Sequence, residues 1–168
     1  MTRYLLDANV FITPANSFYT LEGCPGFWEW MGADKALCSI QEVYRELLGK
    51  EDELARWTRD GNTPEFLAPD DEVNQKMVEV SQHVMEMSNF DRGKQMKFLS
   101  GADPWLIATA LAKGWPIVTM EKYEPQIRRK IQLPNVAREM GVCCITLFEL
   151  TATRHLRLIW DRNDEWQE

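Results

Sequence analysis

Apolar residues in this chain gather in short runs separated by charged, helix-compatible stretches. Residues 3–12 carry "YLL" and "VFI" in too short a run for a helical period, which predicts a buried strand with Asp7 near its end. The segment 13–32, "TPANSFYTLEGCPGFWEWMG", mixes prolines and glycines with Phe18, Tyr19, Phe27, Trp28 and Trp30, and reads as a loop with a short helix. Its rings either pack down over the core or stack on nucleic-acid bases. With no basic residues framing them, packing is the preferred reading. "ALCSI" (36–40) is a second apolar run, and 39–49 takes a helical period through Ile40, Val43 and Leu47 before Gly49. Ser39 and Glu42 have the spacing of a capping box, a hydroxyl at the helix start with a glutamate three residues on.

Residues 50–61 continue as a charged helix to Gly61, and 62–71 form a turn-rich connection. Over 72–87, Val73, Met77, Val80, Val84 and Met87 fall at helical spacing and predict a core stripe. The clearest grammar lies in 101–121: Asp103 as N-cap, Pro104 at the first helical position, a body to Ala112, Gly114 as the stop, then the strand "WPIVT" (115–119). A short helix near "VAREMG" and a strand over "VCCITLF" (142–148) follow, and polar helix-compatible residues close the chain.

Short apolar strands alternating with helices imply right-handed crossovers and a parallel sheet covered on both faces. The expected fold is α/β, a three-layer α/β/α sandwich in one domain over 1–168. Ligands of such sheets bind beyond the carboxyl ends of the strands. Asp7 ends one strand and Glu121 follows another, so both should reach the same edge.

Composition narrows the chemistry. The chain is 45% hydrophobic, but no window approaches the about 18 continuous apolar residues of a membrane span. With no signal-peptide pattern at the start, the expected place is the cytoplasm. Cys24, Cys38, Cys143 and Cys144 lack C-x-x-C spacing and are accompanied by His83 and His155 alone, which argues against zinc and against a disulfide framework. The formal charge of −7 speaks against coating nucleic acid by simple phosphate neutralisation. It does not speak against an acidic pocket whose sign a bound divalent cation reverses. Two basic runs, "RGKQMK" (92–97) and "QIRRK" (126–130), could meet phosphates, although solvated charged faces explain most such runs.

The acids that could gather at the sheet edge are Asp7, Glu42 or Glu46, Asp103 and Glu121. Hard cations such as Mg²⁺ take oxygen ligands from separate elements, and gathering carboxylates without a cation would raise their pKa values. Glu42 and Glu46 lie four apart on one helical face. Glu42 already has work as the partner of Ser39, which favours Glu46 and leaves Glu42 as the alternative ligand.

"LLDANVFI", "SIQEVYREL", "GADPWLIATALAKG" and "PIVTME" occur in an order and at separations that resemble the PIN-domain family of metal-dependent ribonucleases, over about residues 4–148. Asp7, Asn9 and Ile12 match the family's first-strand aspartate motif, and Glu46 in "YREL" matches its helix acid. Asp103, Ile107, Ala108 and Ala110 match its third acidic motif. Thr119, Met120 and Glu121 stand where the family has T-x-D, so the glutamate is a departure, one methylene longer. The stretch "CPGFW" is similar to a prokaryotic PIN-like branch.

The resemblance implies a Mg²⁺- or Mn²⁺-dependent endoribonuclease in which Asp7, Glu46, Asp103 and Glu121 hold the metal, while Asn9 and Thr119 position them. It also implies an RNA substrate, a toxin role with an antitoxin partner covering the cleft, and a homodimer. Two readings compete with it. A haloacid-dehalogenase-type phosphatase needs a second aspartate where Asn9 stands, and a non-catalytic interaction module would keep the carboxylates only as caps.

Overall fold

A computed structural model describes residues 2–159. Five strands, β1 (Tyr4–Leu6), β2 (Leu37–Ile40), β3 (Glu65–Leu67), β4 (Ile117–Val118) and β5 (Cys144–Ile145), form one all-parallel sheet in the order β3-β2-β1-β4-β5. Register is set by pairs such as Leu5 with Cys38 and Leu6 with Val118. Helices cover both faces, as expected of a three-layer α/β/α sandwich. On one side lie α1 (Ala8–Asn16), α2 (Pro25–Ala33), α3 (Gln41–Leu47) and α4 (Glu53–Arg59), among which α1, α3 and α4 pack together. On the other lie α5 (Asp71–Met85), α6 (Arg92–Leu99), α7 (Asp103–Lys113) and α8 (Leu133–Glu139), each packed on α7. The final helix, α9 (Leu147–Thr153), returns to the first side, where Phe148 meets Phe18 and Arg154 forks onto Asp34.

The core runs from the strands outward. Leu5, Leu6, Leu37, Ile117 and Val118 are sealed between Phe11, Phe27 and Met31 on one face and Leu106 and Ile107 on the other. The aromatic segment packs down as expected: Phe27 and Trp28 are buried, Trp28 lies 4.9 Å from Trp57, and its Nε1–H donates to the Tyr19 carbonyl.

Several boundaries differ from the sequence reading. The strand expected over 3–12 stops at Leu6, because Ala8, Phe11, Ile12 and Ala15 also satisfy a helical period and fold as α1. The helix expected through 50–61 is broken: Asp52 accepts from the Ala55 N–H and starts α4 afresh. β3 lies in the stretch read as turn-rich, and α6 in a run read only as basic. β5 is two residues long, after which Thr146 and Glu149 form a true capping box for α9. The Ser39–Glu42 box does not form, since Ser39 sits in β2 and its hydroxyl donates to the Leu6 carbonyl at 2.6 Å. Asp103 is the first helical residue of α7 and caps nothing, whereas Gly114 ends that helix in the left-handed region at φ 68°. The closing polar residues from 160 on lie outside the described residues. No described helix is long and apolar enough to cross a membrane.

Candidate active site

Chain order runs from β1 to β3 in one direction and resumes at β4 on the other side of β1, so the sheet has its switch point between β1 and β4. There, loops leave in opposite directions and open a crevice beyond the strand ends. Asp7 follows β1 and Thr119 follows β4, and both side chains are buried in that crevice.

A hydrogen-bond network joins them. The Thr119 hydroxyl donates to Asp7 Oδ2 at 2.8 Å and accepts from Asn9 Nδ2 at 3.2 Å and from the Glu121 N–H at 3.1 Å. Asn9 Oδ1 in turn accepts from the Met120 N–H at 2.8 Å. Asn9 therefore locks the start of α1 to the exit of β4, and Thr119 holds the Asp7 carboxylate in one orientation.

The other acids arrive from separate elements. α3 presents Glu46 near its end, α7 presents Asp103 at its start, and the segment after β4 presents Glu121. Burial, then the charges of Asp7, Glu121 and Glu46, push Asp103 up to about 8, only partly opposed by Lys130. Burial also raises Asp7 to about 6, against the Thr119 hydrogen bond, with Glu121 and Glu46 adding to the rise. Burial raises the Glu46 carboxyl as well. The charges of Glu121 and Glu46 thus lie close enough to oppose ionisation of Asp7 and Asp103.

They are not equally available. Asp103 is reached by no hydrogen bond or ion pair among the described residues. Both Glu121 oxygens are engaged, Oε1 with Lys130 Nζ at 2.6 Å and Oε2 with the Leu133 N–H at 3.3 Å. Glu42 pairs with Arg45 at 3.2 Å in a neighbouring hollow. The capping argument that first favoured Glu46 over Glu42 does not hold, since Ser39 bonds the Leu6 carbonyl, and the difference between the two acids is now the Arg45 pairing of Glu42. Among the described residues, no three His, Cys, Asp or Glu side chains form a ready-made metal cage. The set is nonetheless all hard oxygen, Asp7 is buried and Asp103 half-buried, and Asp103 makes no ion pair among the described residues, the charge of Lys130 only partly offsetting that of the other acids. That donor chemistry fits Mg²⁺ or Mn²⁺.

Cations line the approach. A cleft of about 280 Å³ contains Glu46 and Asp103 together with Lys94 and Lys97 from α6, and Arg129 and Lys130 from the segment before α8. These lysines and arginines belong to the two basic runs for which the sequence offers phosphate contact beside the commoner reading of solvated faces. A larger cavity of about 650 Å³, walled by Trp28 and Trp57, lies away from these carboxylates, between α2 and the turn after α4. The histidines stand apart from the crevice, His83 bonding Glu139 at 2.7 Å. All four cysteines are free thiols; Cys38 is buried and Cys143 is exposed. Cys144 is close enough to feel the Asp7 charge, and burial pushes its thiol up to about 12, so it stays protonated at neutral pH.

Fold and crevice together define an α/β protein with a carboxylate site at its switch point. A family model described as "Domain of unknown function (DUF4411)" matches residues 4–158, and the chain belongs to that family. No curated protein matches it.

Proposed function

We propose that this chain is a divalent-metal-dependent endoribonuclease of PIN-like design, serving as the toxin of a toxin–antitoxin pair. The observation that carries the nuclease reading is the convergence of two basic runs, one on each side of α7 in sequence, on the cleft that holds Asp103 and Glu46. A phosphodiester needs cations along its flanking phosphates and a carboxylate-held metal at the scissile one.

Asp7, Glu46 and Asp103 would hold the ion. When bound, Mg²⁺ or Mn²⁺ supplies a Lewis acid that acidifies a water and stabilises charge on the leaving oxygen. The chain's own residues bind and orient. Thr119 and Asn9 fix the Asp7 carboxylate, and Lys94, Lys97 and Arg129 hold the strand by its phosphates. Asn9 is tied by its amide to Thr119 and Met120 and supplies no acid two residues after Asp7, which counts against the phosphatase. The interaction-module reading draws on exposed Phe18 and Phe148, whose rings lie 5.9 Å apart beside α9.

Cleavage of labelled single-stranded and structured RNA in Mn²⁺ tests the proposal. Asp7→Asn and Asp103→Asn, each verified as folded by circular dichroism, should lose about 100-fold or more of the wild-type rate. Wild-type activity that survives in both variants, or that resists chelation, would overturn it.

A further inference from the structure

Glu121 stands where the family resemblance asks for aspartate, and the extra methylene changes its use. Its carboxylate spans outward to Lys130 Nζ at 2.6 Å and to the Leu133 N–H at 3.3 Å. Its own N–H is held by Thr119 at 3.1 Å, so the residue is fixed at both ends. These contacts tie the first residue of the 121–133 connection to its last turn. Further bonds stitch the same segment: Gln132 Nε2 donates to Glu124 Oε1 at 3.1 Å, and Asn135 Nδ2 donates to the Glu124 carbonyl at 2.7 Å.

The exposures are unequal in an informative way. The Glu121 side chain is 22% exposed and that of Lys130 is 50% exposed, so the acid is the more covered partner of the pair and the lysine the more accessible one. Lys130 lines the same cleft as Asp103, and its charge is felt there. An aspartate at 121 would sit further from both Lys130 and the Leu133 N–H.

We propose that Glu121 is a positioning residue rather than a metal ligand: it clamps the 122–132 segment so that Lys130 stands over the cleft as a phosphate-binding cation. This rests on the metal-nuclease reading above. It leaves Asp7, Glu46 and Asp103 as the metal-holding set and makes Lys130 the electrostatic contact to the substrate backbone.

Two measurements on wild type, Glu121→Gln, Lys130→Gln, the double variant and Asp103→Asn decide it. The first is equilibrium Mn²⁺ binding, with free Mn²⁺ followed by electron paramagnetic resonance. Glu121→Gln should stay within about threefold of wild type while Asp103→Asn weakens binding more than about tenfold. The second is KM and kcat for a labelled single-stranded RNA. Glu121→Gln and Lys130→Gln should each raise KM about three- to tenfold, and the double variant should lose no more than either single one, because one residue acts through the other. Mn²⁺ affinity lost in Glu121→Gln as deeply as in Asp103→Asn would make Glu121 a ligand and overturn the inference. So would losses that multiply in the double variant. A wild type that binds no Mn²⁺ would overturn the metal reading itself, an outcome distinct from both.

Discussion

Asp103 is the most exposed to its neighbours' repulsion of all the residues in the crevice. Its pKa rises from 3.8 to about 8 on folding, so between those values the folded chain holds more protons than the unfolded one. Stability should therefore fall as pH rises through that window. Asp103→Asn removes the penalty. Without divalent metal the variant should melt several degrees above wild type near pH 8, and close to it near pH 4, by differential scanning calorimetry; equal melting at both pH values would refute the burial argument. Much at this scale was legible beforehand. The Asp7–Asn9 spacing and Thr119 pointed to the network that holds Asp7. The Ser39–Glu42 pattern misled, because Ser39 lies inside β2, which gives its hydroxyl to the Leu6 carbonyl and leaves Ile40 at the N-cap of α3.

At the scale of elements, α2 and the turn after α4 touch backbone to backbone. A Cβ on Gly32 would stand 2.1 Å from the Asn62 carbonyl oxygen, and that oxygen belongs to main chain that cannot rotate away. Gly32→Ala should cost about 2–4 kcal/mol in urea unfolding. The folded fraction should bind Mn²⁺ like wild type, since Gly32 borders the larger cavity and not the carboxylate cleft. A cost near zero would mean that this approach is looser than described. Helices with strong punctuation were readable, α7 above all, with Pro104 near its start and Gly114 at its stop. What escaped was decided by competition. The "VFI" run suits strand and helix alike, and β3 is a short edge strand specified by pairing with β2 rather than by its own pattern.

Across the whole molecule, a net charge of −7 coexists with a cleft where Lys94, Lys97, Arg129 and Lys130 meet. If these four hold phosphates, RNA affinity should fall with salt at a log–log slope of about −2 to −3, from about 0.7 per contact on a single strand. Lys94→Ala and Lys97→Ala should each reduce the slope by about 0.7. A slope unchanged in both would place the RNA elsewhere. This cleft could not be read from the sequence, because it is assembled by the right-handed crossovers that bring α6 and the segment before α8 to one strand end. The parallel sheet could be read, since short apolar runs alternate with helices, and Asp7 directly after one strand and Glu121 three residues beyond another pointed to one edge.

We propose that Asp7, Glu46 and Asp103 share a divalent cation. Melting near pH 8 with and without about 1 mM Mn²⁺ tests it without knowledge of the RNA, because a ligand of the native state must raise the transition. Wild type should rise by about 5–10 °C, while Asp7→Asn and Asp103→Asn should start higher and rise little. No rise in the wild type, or an equal rise in both variants, would contradict the metal site at the β1–β4 switch point.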